Sequence, residues 1–327
     1  MYTDITRKNN SFCSIQKKNY RTFASLFTKF PLIHYRRPMR IAIFGKSYAS
    51  GKQNEINSLF SSLQKYAPEL LIDREFLWVM QDMGIKLPEI TVLSGNDFQA
   101  DISLSLGGDG TFLKTAERIG DKRIPILGIN LGRMGFLADV QSSETGQAID
   151  EIMAGRYHIE ERSLLHITDG SRATWPYALN EVAVLKLDTS SMITIHAYLD
   201  NTFLNTYQAD GLLVATPTGS TGYSLSVGGP IVAPQASNFI ITPVAPHSLN
   251  VRPLVIGDDA EIRLVAEGRN RHFLVSLDGR SEEKTSGESI TLRKAPFPIR
   301  VIKRNNQLFT DTLRKKLMWG VDLRSNI

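Results

Sequence analysis

An apolar run that ends in a cluster of glycines constrains most strongly what this chain can fold into. Residues 102–106 read Ile-Ser-Leu-Ser-Leu, and they are followed directly by Gly107, Gly108, Asp109, Gly110 and Thr111. A strand that ends in glycines can bring bare backbone N–H groups up to a phosphate, and a helix over 112–119 would add the positive end of its dipole. The acid in the loop could accept the proton of a hydroxyl group. We therefore predict a phosphate site beside Asp109, although such a cluster alone is also typical of a tight turn.

The sequence around this loop alternates between strand and helix patterns. The predicted strands cover 40–44, 90–93, 102–106 and 124–129, and the predicted helices cover 54–66, 73–83, 112–119 and 144–154. β-type runs separated by helices indicate a parallel sheet. The glycine loop then lies at the carboxyl end of a strand, where open α/β sheets bind their ligands. The loop matches neither the Walker A nor the GxGxxG pattern.

From about residue 157 to about 302 the apolar residues recur with a period of two, and Gly, Pro, Asn and Asp separate short segments. This pattern predicts an all-β domain of two packed sheets. We therefore expect an α/β phosphate-binding domain at 39–140, a β-sandwich at 141–302, and a C-terminal segment at 303–327 that returns to the first domain.

Basic residues are concentrated at the start of the chain. Residues 1–38 hold eight Lys or Arg and one acid, a charge of +7, which leaves −2 of the total +5 for residues 39–327. We expect this segment to be a disordered extension, and its composition also resembles a transit peptide. The nearly neutral body gives no reason to expect a nucleic-acid partner. No apolar run approaches the roughly 18 residues of a membrane span, so we expect a cytoplasmic protein without a membrane partner.

The single cysteine, Cys13, lies in the basic segment. Disulfides, zinc–cysteine sites and cysteine nucleophiles are therefore excluded from residues 39–327.

A second polar cluster lies inside the β-rich region. Six hydroxyl-bearing residues fall between Thr216 and Ser224 and alternate with glycines. Such a run suits a polar ligand, although a Ser/Thr-rich surface loop has the same composition. Asn180 and Glu181 interrupt another apolar run, at 177–184. An amide beside a carboxylate can donate to one ribose hydroxyl and accept from the other, whereas such a pair alone is usually a turn at a strand edge.

In combination these motifs resemble the bacterial-type NAD kinase family. The resemblance runs in family order through the segments 107–111, 130–137, 180–181, 210–211, 216–224, 246–249 and 278–279. It implies a Rossmann-like N-terminal domain with a parallel sheet, a C-terminal β-sandwich, and a homodimer or homotetramer. It also implies that ATP phosphorylates the 2′-hydroxyl on the adenosine ribose of NAD to give NADP and ADP.

The resemblance also implies roles for individual residues. Asp109 would be the catalytic base, and the phosphates would be held by Gly107, Gly108, Gly110 and Thr111. Asn180 and Glu181 would bind the ribose and nicotinamide side of NAD, and Asp210 would line the same site. The adenosine portion would be held by Thr221, Gly222, Tyr223, Ser224, Leu225 and Ser226. Lys114 and Ala245 are weaker assignments.

Mg²⁺ or another divalent metal would arrive with ATP, and the sequence indicates no metal ligand of its own. Arg280 stands where many family members carry Gln, so we leave it outside the predicted site. Gln208 stands where members differ, which leaves NAD and NADH both open as the acceptor. The donor could be ATP or polyphosphate.

Other classes of protein share parts of this pattern. Lipid kinases and phosphofructokinases also carry GGDGT loops, so a diacylglycerol or a sugar phosphate is an alternative acceptor. A regulatory module that binds a dinucleotide without catalysis is a second alternative. A dehydrogenase would need a GxGxxG turn after the first strand, and residues 45–49 contain none.

Overall fold

A computed structural model describes residues 37–46, 51–132, 135–187, 191–268, 271–305 and 307–318. Except for Arg37 and Pro38, the basic segment 1–38 lies outside them, and so does the end of the predicted C-terminal segment from 319 onward.

The described residues form twenty strands and six helices. The first group of strands is β1 (Arg40–Gly45), β2 (Glu69–Asp73), β3 (Thr91–Leu93), β4 (Ile102–Gly107), β5 (Ile126–Asn130), β6 (Val140–Gln141) and β7 (Tyr157–Arg162). There follow β8 (Leu165–Asp169), β9 (Tyr177–Ala178), β10 (Glu181–Lys186), β11 (Ile193–Leu199), β12 (Thr202–Ala209), β13 (Gly211–Ala215) and β14 (Asn238–Val244). The last are β15 (Leu254–Gly257), β16 (Ile262–Gly268), β17 (His272–Leu277), β18 (Arg280–Thr285), β19 (Ser289–Lys294) and β20 (Ile299–Arg304). The helices are α1 (Gln53–Gln64), α2 (Arg74–Asp82), α3 (Asp109–Ile119), α4 (Thr145–Met153), α5 (Tyr223–Ser226) and α6 (Phe309–Leu317).

The first sheet has the strand order β3-β2-β1-β4-β5-β20-β7, with β6 paired to β5. Strands β1 to β5 are parallel, which confirms the predicted parallel sheet. Side chains alternate across it, because successive residues of a strand point to opposite faces. Ile41 and Ile43 of β1 share one core with α1, α2 and α4. Ala42 and Phe44 share the other core with α3.

The structure differs from the predicted elements in three ways. Strand β2 was not predicted, because its five residues run without a loop into α2, for which Asp73 is the N-cap. Helix α3 begins at Asp109 rather than at 112, so only Gly107 and Gly108 of the glycine cluster precede it. Helix α4 packs on the first sheet, and β7 and β20 belong to that sheet, so this layer extends beyond the expected limit at residue 140.

The β-rich region consists of two six-stranded sheets, as predicted. Their orders are β15-β14-β13-β10-β17-β18 and β12-β11-β16-β19-β8-β9, and every pair within them is antiparallel. Alternate side chains of the two sheets share one core that includes Val182, Val214, Phe239 and Leu264. In the first of these sheets Glu181 lies opposite Ala215, and Leu185 lies opposite Gly211.

The first sheet and the β-rich region meet at the face of the first sheet on which α3 lies. Phe112 and Ile119 of α3 lie in the same buried cluster as Leu164, Leu179 and Ala295. Leu179 directly precedes Asn180 and Glu181, so this shared core fixes the polar pair relative to the helix that begins at Asp109. Within the described ranges no helix is long and apolar enough to cross a membrane.

Candidate active site

The glycine loop turns sharply from β4 into α3. Gly107 has φ 156°, and a Cβ at this position would lie 2.2 Å from Thr111 Oγ1, so only glycine fits without a shift of the helix. Gly108 is the N-cap of α3 in an extended conformation. Asp109 is therefore the first residue of the helix, at the positive end of its dipole, where a negative charge is stabilised.

The carboxylate of Asp109 is held by three consecutive backbone amides. Phe136 N–H donates to Oδ2 at 2.9 Å, and Leu137 and Ala138 donate to Oδ1 at 3.0 and 3.1 Å. A Cβ on Gly135 would lie 1.8 Å from Oδ1, so this segment can approach Asp109 only with glycine at 135. The Asp109 side chain keeps 30% of its surface exposed. It is therefore fixed in orientation and open to a ligand.

A second carboxylate fixes the Asn180–Glu181 pair in the same way. Asp278 accepts from the backbone N–H groups of Leu179 at 2.7 Å, Asn180 at 2.8 Å and Glu181 at 3.1 Å. Asp278 has φ 48° and sits in the turn between β17 and β18. The two strand ends that carry Glu181 and Asp278 are thereby locked together.

Glu181 is an unusual acid in this structure. Its Oε2 is buried and accepts no hydrogen bond from the described residues. Burial, and secondarily the charge of Asp278, raises the pKa of Glu181 to about 7. Burial also raises the pKa of Asp278, against the opposing effect of its three amide donors. An unpartnered acceptor atom of this kind is suited to a ligand that brings its own hydrogen-bond donor.

The polar turn, residues 216–226, packs directly on this pair. Thr216 N–H donates to Asn180 O at 2.9 Å, and a Cβ on Gly219 would lie 2.0 Å from the same oxygen. A Cβ on Gly222 would lie 3.3 Å from Glu181 Oε2. The glycines of the turn therefore allow its backbone to approach the Asn180–Glu181 pair closely. The structure brings these sequence-predicted residues together.

The remaining residues of the polar turn differ in how much of their side chains is exposed to a ligand. Tyr223 is 38% exposed, and Ser226 is also exposed. Leu225 and Thr221 are half-buried, whereas Ser224 is buried with its hydroxyl 3.1 Å from that of Thr242. Ser224 is therefore held inside the turn.

One cleft lies between the segment whose amides hold Asp109 and the polar turn. Its lining includes Phe136 and Leu137 on one side and Thr218 and Thr221 on the other. The helix α6 contributes to the same wall, together with two buried cations, Arg162 and Lys303, which pair with Glu160 and Asp139. A ligand in this cleft would contact the polar turn and the segment whose backbone amides hold Asp109.

Lys114 faces a different cleft. Together with Gly45 and Thr111 it lines a space of about 220 Å³. This space lies at the carboxyl ends of β1 and β4, where the strand order of the parallel sheet changes direction. Ligands of open α/β sheets bind at such a point.

Asp210 and Ala245 lie away from the pair at 180–181. Asp210 N–H donates to Val244 O at 2.9 Å, and its carboxylate pairs with Lys186 Nζ at 2.5 Å. These residues stand at the far end of β13 and β10, about 17 Å along the strand from Glu181 at 3.3 Å per residue. Within one copy of the chain the structure does not bring them to the site.

Several residues of the site were not predicted from the sequence. The amides of 136–138, Asp278 as the acceptor for 179–181, and Lys316, whose Nζ lies 3.6 Å from Asp109 Oδ2, are the main ones. Segment 130–137 and Asp278 belong to the motifs of the family resemblance, but hydrogen bonds to the backbone have no signature in residue types. No group of three or more His, Cys, Asp or Glu among the described residues could hold a metal ion.

The structure combines a glycine loop with a carboxylate at the carboxyl edge of a parallel sheet and a polar turn in a β-rich region, an arrangement typical of proteins that bind phosphorylated ligands. Two family models match the chain: the ATP-NAD kinase N-terminal domain at residues 82–157 and the ATP-NAD kinase C-terminal domain at 179–304.

Relatives and solved structures agree with this match. The NAD kinase of Bacteroides fragilis is 50% identical over 289 residues, which cover 88% of this chain and 100% of the relative. That of Porphyromonas gingivalis is 45% identical over 286 residues, 87% of this chain and 99% of the relative. The chain belongs to the NAD kinase family.

Among solved structures, yeast NADH kinase complexed with NADH has a TM-score of 0.78 at 23% identity, covering 89% of this chain and 91% of that one, which shows a shared fold. An NAD kinase from Archaeoglobus fulgidus in complex with ATP has a TM-score of 0.64 at 25% identity, covering 86% and 98%.

Proposed function

We propose that this chain transfers the γ-phosphoryl group of ATP to the 2′-hydroxyl on the adenosine ribose of NAD, giving NADP and ADP, with Asp109 as the general base. Membership of the NAD kinase family supports the reaction. The observation that carries the assignment of residues is the common cleft, because the segment that holds Asp109 and the polar turn both line it.

Asp109 has the geometry of a base that is fixed before substrate binds. A carboxylate has about four lone-pair positions, and three of those on Asp109 accept backbone amides. Oδ2 accepts only one of these amides and keeps a position for the hydroxyl proton. As that proton moves to Oδ2, the ribose oxygen attacks the γ-phosphorus and the bond to the bridging oxygen of ADP breaks. A positioned base contributes typically about 10²–10⁴-fold to such a reaction.

The acceptor would lie against the polar turn and the Asn180–Glu181 pair. Glu181 Oε2 is buried and accepts no hydrogen bond from the described residues, and a ribose hydroxyl would supply the missing donor. The half-buried and exposed residues of the turn, Thr221, Gly222, Tyr223, Leu225 and Ser226, would contact the adenosine portion, and Ser224 would support them from inside.

The donor would bind at the carboxyl edge of the parallel sheet. Gly107, Gly108, Gly110 and Thr111 would hold its phosphates at the N-terminus of α3. Lys114 lines the neighbouring cleft and would contact the same phosphates. Mg²⁺ would enter as part of the ATP substrate, and phosphates together with water commonly supply most of its ligands.

Asp210 and Ala245 would reach the acceptor of a second copy of the chain. Their distance of about 17 Å from Glu181, at 3.3 Å per residue along the strand, favours a contribution across an interface over one within a single copy. This arrangement requires the predicted homodimer or homotetramer. The cytoplasmic location stays a prediction from the sequence.

The test compares Asp109→Asn with Asp82→Asn, an exposed acid at the end of α2. Purified protein is incubated with ATP, Mg²⁺ and NAD, and the product is quantified with an NADP-specific dehydrogenase. We expect Asp109→Asn to lower turnover by at least about 10²-fold while NAD binding, measured by calorimetry, survives. The control should match wild type.

Near-normal turnover of Asp109→Asn would refute the assignment of the base. A wild-type protein that phosphorylates diacylglycerol or fructose 6-phosphate but not NAD would refute the proposed reaction itself.

A further inference from the structure

Helix α6 brings a cation to the carboxylate of Asp109. Lys316, in the last turn of this helix, has its Nζ 3.6 Å from Asp109 Oδ2. The same nitrogen lies 4.2 Å from the centre of the Phe136 ring. We propose that Lys316 is a further catalytic residue, whose ammonium balances the charge of Asp109 before the reaction and stabilises the transferred phosphoryl group during it. This inference rests on the proposed function.

Phe136 links the lysine to the base. Its backbone N–H donates to Asp109 Oδ2 at 2.9 Å, and its ring carries the ammonium of Lys316 by a cation–π contact. Phe136 therefore contacts both the Asp109 carboxylate and the Lys316 ammonium. Exposed ion pairs contribute little when two long side chains must be ordered to form them. Here Asp109 is already fixed by three amides, and the aromatic ring restricts Lys316.

Helix α6 itself is held by few apolar contacts. Thr312 is its only buried residue. Phe309 and Thr312 line the cleft between the polar turn and the segment whose amides hold Asp109. The helix therefore borders the space in which the acceptor would lie. Its last turn, rather than a packed apolar face, makes the contact with the base.

The charge changes during transfer give Lys316 its role. When the 2′-hydroxyl proton moves to Oδ2, Asp109 loses its negative charge, and the ammonium of Lys316 loses its counter-ion. At that moment negative charge is distributed over the oxygens of the γ-phosphoryl group beside the same carboxylate. The ammonium stabilises the ionised carboxylate before transfer, and it raises the turnover number to the extent that its contact with the γ-phosphoryl oxygens in the transition state exceeds that stabilisation.

The experiment uses four variants of the full chain. Lys316→Met removes the charge and keeps the length of the side chain, and Lys316→Arg restores a cation. Lys315→Met, on the same turn of α6, is the matched control, because it removes one of the three basic residues at this helix end without touching Asp109. The fourth variant combines Lys316→Met with Asp109→Asn. Turnover number and KM for NAD and ATP are measured for each.

We expect Lys316→Met to lower the turnover number by about 10–100-fold with KM values changed by less than about threefold. Lys316→Arg should recover most of the loss, and Lys315→Met should match wild type. In the Asp109→Asn background the loss of Lys316 should cost less than about threefold, because the two groups act together.

Three results would overturn the inference. The first is a wild-type turnover number in Lys316→Met while wild type phosphorylates NAD. The second is a higher turnover number, which would make α6 an inhibitory cover. The third is an equal loss in Lys315→Met, which would make the effect one of helix stability. If wild type itself does not phosphorylate NAD, the proposed function is refuted, and the role of Lys316, which rests on that function, is refuted with it.

Discussion

Replacing Glu181 by Gln removes one titrating group from the junction of β10 and β17. Glutamine has nearly the shape of a protonated glutamate, so the packing against Gly222 and the strand register are kept. Glu181 Oε2 is buried next to the charge of Asp278 and has no hydrogen-bond donor in the part of the chain that the structure describes. The substitution therefore isolates the free-energy cost of ionising a buried acid in the absence of ligand.

The pKa of Glu181 is raised from 4.5 to about 7 by burial and by Asp278. Between these values the folded protein keeps a proton that the unfolded chain has lost. The free energy of unfolding therefore falls as the pH rises through this window, by about 3 kcal/mol in total for a shift of this size. Glutamine does not titrate, so Glu181→Gln should gain that amount relative to wild type between pH 4.5 and pH 8.

The assay is urea denaturation of both proteins at pH 5, 6, 7 and 8. Glu267→Gln serves as the control, because its side chain is 60% exposed on β16. We expect the control to follow wild type within about 0.5 kcal/mol at every pH. A difference between Glu181→Gln and wild type that stays constant with pH would show that Glu181 ionises as easily in the folded protein as in the unfolded chain. A variant less stable than wild type at pH 8 would refute the reasoning.

The second and third predictions concern the two loops held by carboxylates. Gly135→Ala places a Cβ 1.8 Å from Asp109 Oδ1 and should lower turnover by about 10²-fold through displacement of the base. Gly132→Ala, where nothing lies within 4 Å, should retain turnover, and equal losses in both would contradict this explanation. Asp278→Asn removes a charged acceptor of three amides and should destabilise the protein by about 1–3 kcal/mol in urea denaturation at pH 7. It should also lower the pKa of Glu181 and make the pH dependence of stability shallower, and an unchanged slope would exclude an effect of Asp278 on Glu181.

The parallel sheet could be predicted because its signal is local. The alternating residues of Ile102–Gly107 place leucines towards one core and serines towards α3, where Thr115 Oγ1 donates to Ser105 Oγ at 3.0 Å. Strand β2 could not be found in this way, because it merges with the N-cap of α2. The place of β20 could not be predicted either. This strand follows the β-sandwich in sequence but pairs with β5 and β7 in the first sheet, and such long-range pairing leaves no periodic pattern.

In the site, too, local residue types could be predicted from the sequence, whereas long-range contacts could not. Residue types indicated Asp109 and the Asn180–Glu181 pair, because acids and amides among glycines are rare in apolar surroundings. What orients them is a device repeated on two loops: one carboxylate that accepts three consecutive backbone amides. Its two instances differ in their neighbours. Asp109 has a cation, Lys316, at 3.6 Å and an exposed face, whereas Asp278 faces another acid, Glu181, and is desolvated.

These neighbours separate the two roles. An accessible carboxylate beside a cation can exchange a proton with a ligand, and the cation balances its charge when the proton is absent. Around Glu181, burial and secondarily the charge of Asp278 instead raise the pKa of the acid, and its buried Oε2 has no donor among the described residues. The segment whose amides hold Asp109 and the polar turn that packs on Glu181 both line one cleft. The chemistry of the site therefore follows from the packing of the two domains, which places two similar hydrogen-bonded loops in opposite electrostatic surroundings.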